Sequence, residues 1–112
     1  METYYDPADL GKFSPNGFGS LASGYFEKFM GYYGSVFQDG ALTAREKGLI
    51  GLGVAIALEC PYCIDAHTNG CLQKGCDGEQ IAEVYHVVAA LSAGAAVAHG
   101  AQSLKIIEDN EF

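Results

Sequence analysis

A chain of 112 residues, 49% of them hydrophobic and 12% aromatic, has the material for one domain built on one modest core. Fourteen acidic residues against six basic ones leave a formal net charge of −8 with no Lys/Arg cluster, a surface that repels phosphate backbones and excludes a nucleic-acid partner. There is no uninterrupted apolar run of bilayer-spanning length, and "METYYDPADLGKFSPNGFGS" lacks the basic start and apolar stretch of a secretory signal, so a cytoplasmic protein without a membrane span is expected.

In chain order, residues 1–19 read as an N-terminal arm, extended and with turn signals at "DP" and "SPNG", ahead of a single helical domain over 20–112. From Leu21 to about Phe37, the residues Leu21, Tyr25, Phe29, Tyr32, Tyr33 and Phe37 recur at threes and fours, which predicts an amphipathic helix weakened by Gly24, Gly31 and Gly34. Aromatics at that spacing read as core or subunit contact rather than as a ligand cage.

"TAREKGLIGLGVAIALEC" carries two periods at once. Ile50, Leu52, Val54, Ile56 and Leu58 alternate with Gly or Ala as in a strand. Thr43 followed by Glu46 is a capping box, however, and the apolar stretch behind it is long for a strand, so a buried helix is the better reading. Pro61 suits the first position of a further helix running to Lys74, with Gly75 as its C-terminal cap. Asp77 and Gln80 form a second capping box, which opens a helix with Ile81, Val84, Tyr85 and Val88 on one face. "LSAGAAVAHGAQSLKIIED" continues it, with Gly94 and Gly100 as candidate interruptions. Fifteen glycines, many beside alanine or valine, fit closely packed helices, and the fold class expected is all-α.

The four cysteines, in a chain with no signal, point to redox or metal chemistry rather than a disulfide framework. "CPYC" at 60–63 is a glutaredoxin tetrapeptide, but no strand signal follows Cys63 and no proline follows Pro61, so a thioredoxin fold is excluded. With Cys60 at the helix start and Cys63 in the first turn, the free amides and helix dipole are expected to stabilise the Cys63 thiolate. His67, four residues on, shares a face with Cys63 and can take its proton, while Cys60 can close a disulfide onto it. A zinc site built from Cys60, Cys63, His67 and Cys71 is the competing reading, disfavoured because His67 and Cys71 would come from the same helix. Cys71 and Cys76 otherwise read as buried or half-buried thiols, Cys71 facing His67 one turn on, and His86 and His99 as packing histidines.

The stretch from Leu42 to Gly100, with its C-x-x-C-x-x-x-H core "CPYCIDAH", resembles the alkylhydroperoxidase D (AhpD-like) branch of the carboxymuconolactone decarboxylase family. "YYDPADLGKF" together with "CPYCIDAHTNGC" further resembles the peroxidase-like proteins associated with arsenosugar biosynthesis. The resemblance implies an all-α helical bundle with the CxxC at the N-terminus of a central helix, assembled as homotrimers or homohexamers. It implies a thiol-dependent peroxidase or dithiol–disulfide oxidoreductase acting on small hydroperoxides or disulfides, regenerated by a thiol or dithiol donor, with no cofactor and no metal. In the implied relay Cys63 attacks, Cys60 resolves and His67 moves protons. The sequence departs from the family at Gly48, where many dithiol members carry a glutamate twelve residues before the first cysteine. Glu46, Glu83 or no carboxylate at all remain as substitutes, and Glu46, on the helix leading into the dithiol, is the expected one. The reading from another class is a non-enzymatic dithiol that binds a soft metal or metalloid, or senses oxidation.

Overall fold

The computed structural model describes residues 4–111, so the first three residues of the expected arm lie outside the described part. Every regular element in it is helical. The arm is wound rather than extended: 3-10 turns span Pro7–Phe13 and Phe18–Ser20. The cause is local, because the Asp6 carboxylate accepts from the Ala8 amide at 3.0 Å and Pro7 sits in the first turn with its φ already set. The arm docks on the start of the dithiol helix: the Tyr62 hydroxyl donates to Asp9 at 3.4 Å, and the Tyr5 ring meets Tyr62 edge-on at 5.5 Å.

Four α-helices follow, α1 Ser23–Val36, α2 Ala44–Ala57, α3 Pro61–Gln73 and α4 Gly78–Asn110. The ambiguous segment is helical. Thr43 accepts from the Glu46 amide at 3.0 Å and Glu46 accepts from the Thr43 amide at 2.9 Å, closing the expected capping box. The alternation that mimicked a strand is a packing pattern: Gly48 lies against Cys71 of α3, Gly51 against His67 and Phe37, and Gly53 against Val84 and Val88 of α4. Small residues let α2 sit between its neighbours.

Gln80 closes the box at Asp77 and also accepts from the Arg45 guanidinium at 2.9 Å, tying the starts of α4 and α2 together. The interruption expected near Gly94 or Gly100 does not occur. α4 runs unbroken through both, since the neighbouring alanines favour helix and neither glycine meets anything that would bend it.

The protomer's own core is small. Leu52, Cys71 and Cys76 form its buried centre, with Leu49, Ile56, Ile64, Ile81 and Val84 packed around them. The outer half of α4 stands free, exposing Leu91, Val97, Leu104, Ile106 and Ile107. The radius of gyration is accordingly 19.0 Å, against about 13 Å for a compact chain of this length. By length and composition alone α4 could cross a bilayer, although no single uninterrupted apolar run announced it; none of its most apolar window is buried within the protomer.

Candidate active site

Cys60 is the N-cap of α3, with extended backbone, and its Sγ accepts from the Cys63 amide at 3.3 Å. An N-cap side chain is the group that collects the free amides of the first turn, so the cap is a thiol where a serine or aspartate would ordinarily stand. This geometry favours charge on Cys60, where the sequence predicts it on Cys63. Hydrogen bonding from the Cys63 thiol, reinforced by the Cys63 amide, holds the Cys60 thiol below its ordinary pKa. The same thiol–thiol hydrogen bond, then burial and the charge on Cys60, pushes Cys63 up to about 11. The pair titrates together, and Cys60 is the sulfur that gives up its proton first.

The sign of the pH dependence follows. A depressed pKa gives Cys60 thiolate at lower pH than a free thiol, whereas Cys63 stays protonated until the solution nears its raised value. Iodoacetamide at neutral pH is expected to label Cys60 first, with Cys63 joining only in strongly alkaline solution. Peptide mapping checks it, and preferential labelling of Cys63 at neutral pH would contradict the assignment.

Cys63 and His67 face a common open pocket of about 560 Å³, walled by apolar side chains of α1 and α2 such as Val36, Phe37, Ile50, Val54 and Leu58, with Lys47 in its lining. Gly51 makes room for the imidazole, since a Cβ there would lie 3.1 Å from His67 Nδ1 and from the Phe37 ring. Burial first, and the Lys74 ammonium second, lowers the His67 pKa, which leaves the ring uncharged at neutral pH and free to accept a proton.

His67 Nε2 is hydrogen-bonded to the Tyr33 hydroxyl at 3.0 Å, and its ring packs on Phe37 at 5.0 Å. Burial and the nearby cysteine charges raise the Tyr33 pKa, so the phenol keeps its proton. Tyr33 is thus a site residue that sequence reasoning assigned to core or subunit contact. Its only signal was membership, with Phe37, of the aromatic face of α1.

Glu46, the expected carboxylate, closes the capping box at the start of α2. Its side chain is exposed and accepts from the Thr43 backbone, which lowers its pKa, while the hydroxyl of Tyr33 meets His67. Glu83 is exposed on α4. His86 stacks on Tyr85 with ring centroids 4.3 Å apart, and His99 Nδ1 bonds the Ala95 carbonyl oxygen at 2.9 Å. Among the described residues no three His, Cys, Asp or Glu side chains are grouped to hold a metal ion, and Cys71 of the zinc reading is turned into the core beside Leu52 and Cys76.

Two curated relatives each match about two thirds of the chain. One is a Paracoccus denitrificans protein described as uncharacterized protein 4 in the cox locus, 43% identical over 74 residues that make up 66% of this chain and 67% of the relative. The other is an uncharacterized protein of Cupriavidus necator, 30% identical over 76 residues, 68% of this chain and 67% of the relative. The model of the carboxymuconolactone decarboxylase family matches residues 23–105, from the start of α1 through most of α4. A helical chain matched over that span belongs to the carboxymuconolactone decarboxylase family.

Proposed function

We propose that the protein is a thiol-dependent peroxidase of the AhpD-like branch, reducing small organic hydroperoxides with the Cys60–Cys63 dithiol. The observation that carries this reading is the second cysteine of a CxxC sharing an apolar pocket with an uncharged histidine. Resemblance of "CPYCIDAHTNGC" and the N-terminal "YYDPADLGKF" to arsenosugar-associated peroxidase-like proteins supports a narrower placement in that subgroup.

Cys60 is the more acidic thiol, but Cys63 is the sulfur in the pocket. Cys63 gives its proton to the Cys60 thiolate or to His67 and attacks the outer peroxide oxygen. The O–O bond breaks, the alkoxide takes a proton from His67 or the reprotonated Cys60 to leave as alcohol, and Cys63 becomes a sulfenic acid. Cys60 then attacks the Cys63 sulfur, expelling water and closing the disulfide. A thiol or dithiol donor, available in a reducing cytoplasm, returns both sulfurs to the thiol state. Consumption of cumene hydroperoxide in the presence of excess dithiol, measured with and without the protein, tests the reading; no acceleration by the protein would overturn it.

Tyr33 holds the imidazole through Nε2 in this scheme. Tyr33→Phe keeps the ring against Phe37 and removes one neutral hydrogen bond worth ~1 kcal/mol, so turnover is expected to fall roughly five- to ten-fold with a shifted pH–rate profile. An unchanged rate and profile would remove Tyr33 from the site.

The working form is proposed to be a homotrimer or homohexamer. The protomer buries few large side chains, while α1 and α4 display Tyr25, Phe29, Tyr32, Leu91 and Val97. Light scattering in detergent-free buffer is expected to give a mass of three or six chains. A monomer, or a protein recovered only in the membrane fraction, would contradict this use of α4.

A further inference from the structure

The four cysteines form two pairs, and the second is not used by the mechanism above. Helix α3 ends in a Schellman turn: Gly75 takes φ +85°, the Cys76 amide donates to the Cys71 carbonyl at 3.0 Å, and the Gly75 amide donates to the Leu72 carbonyl at 3.1 Å. This turn sets Cys71, third from the end of the helix, beside Cys76, the third residue past it. Those two positions ordinarily carry an apolar contact; here both are cysteine. The two side chains pack in one buried cluster with Leu52, both thiols are free, and they are only 1% and 5% exposed.

We propose that Cys71 and Cys76 are a second redox pair, which a hydroperoxide in excess of the first dithiol's capacity oxidises to a disulfide joining the end of α3 to the start of α4. The bond from the Cys76 amide to the Cys71 carbonyl holds the two backbones side by side, which favours closing a disulfide between them. Cys76, the less deeply buried, is the sulfur an oxidant reaches when the exposed Lys74–Gly75 turn opens. Its thiolate attacks the outer peroxide oxygen, and the alkoxide leaves as alcohol after taking up a proton. Cys71 then loses its proton, displaces hydroxide from the Cys76 sulfenic acid, and water forms. Two thiols are oxidised by two electrons and one hydroperoxide is reduced to alcohol and water.

The bond would cross-link the centre of the small core, where Leu52 meets this pair. Cys60 and Cys63 are only half-buried and Cys63 lines the open pocket, so this dithiol is expected to oxidise first, by about tenfold or more.

The test uses the full chain carrying Cys60→Ser and Cys63→Ser, so that failure of the peroxidase reading leaves it intact. Folded protein is exposed to excess cumene hydroperoxide, its remaining thiols are alkylated, and it is digested with trypsin without reductant. Trypsin cuts after Lys74, between the two cysteines, so the disulfide is expected to join peptides 48–74 and 75–105 in a monomer-sized chain, and dithiothreitol should separate them. Wild-type protein should give the same linkage at higher dose, after 60–63 has closed, which covers a double variant that folds poorly. Full alkylation of both thiols after oxidation in both proteins, or linkage only between chains, would overturn the proposal.

Discussion

Cys63→Ser is expected to abolish hydroperoxide turnover, lowering it to the uncatalysed rate with helix content unchanged. The hydroxyl is close in size to the thiol, so the pocket persists, but an alcohol is not a nucleophile toward peroxide oxygen at neutral pH. Cys60→Ser should behave differently. Serine is a good N-cap and can accept the same Cys63 amide, so α3 keeps its start. Cys63 can still attack, but nothing resolves it, and the first equivalent of hydroperoxide should leave the variant as the Cys63 sulfenic acid. Dimedone trapping with peptide mapping reads this out. The opposite pattern, with Cys63→Ser accumulating a Cys60 sulfenic acid, would mean that resting charge rather than pocket position selects the nucleophile.

Leu52→Ala is expected to destabilise the protein by about 2–5 kcal/mol, the range for emptying a buried leucine site. Leu52 is 1% exposed and belongs to the only cluster of buried residues among those described, so little else in the protomer can compensate. A loss of that size is a large part of the roughly 5–15 kcal/mol that holds an ordinary domain together. Because assembly would contribute to stability by mass action, wild type and variant should be compared by urea unfolding at equal, and then at several, protein concentrations. A shift under 1 kcal/mol (roughly the cost of a conservative surface change) would show that the fold does not depend on this cluster.

What could be read from the sequence was what is decided locally. Thr43–Glu46 and Asp77–Gln80 close their capping boxes within four residues, and Pro61 and Gly75 bracket α3, so three helices were anchored without tertiary information. The strand-like period of α2 was misleading because Gly48, Gly51 and Gly53 answer to neighbours on different elements, which no single-helix pattern displays. The arm looked extended because Pro7 and Pro15 mark turns without saying whether the turns link into a 3-10 winding.

In the site, the i, i+4 relation of Cys63 and His67 was legible, since one helix carries both. The location of the charge was not. It turns on a single position, because the N-cap sulfur receives the amide and the residue three along supplies it. Tyr33 was out of reach for a different reason. It lies 34 residues from His67 and meets it only once α1 folds over the pocket, so its spacing identified a face and not a partner. Glu46 satisfied two sequence readings, and in the structure its side chain accepts from the nearer partner, the Thr43 amide.

The central claim is that Cys60 and Cys63 together reduce a hydroperoxide that Cys63 meets in the pocket. The most direct measurement is a stoichiometric titration of fully reduced protein with cumene hydroperoxide, without donor thiol, read by mass spectrometry of the protein and quantitation of the alcohol. The account predicts one alcohol formed for each Cys60–Cys63 disulfide closed at the first equivalent, with Cys71 and Cys76 still alkylatable. Unconsumed hydroperoxide, or a first equivalent that leaves Cys60 and Cys63 both as free thiols, would contradict it.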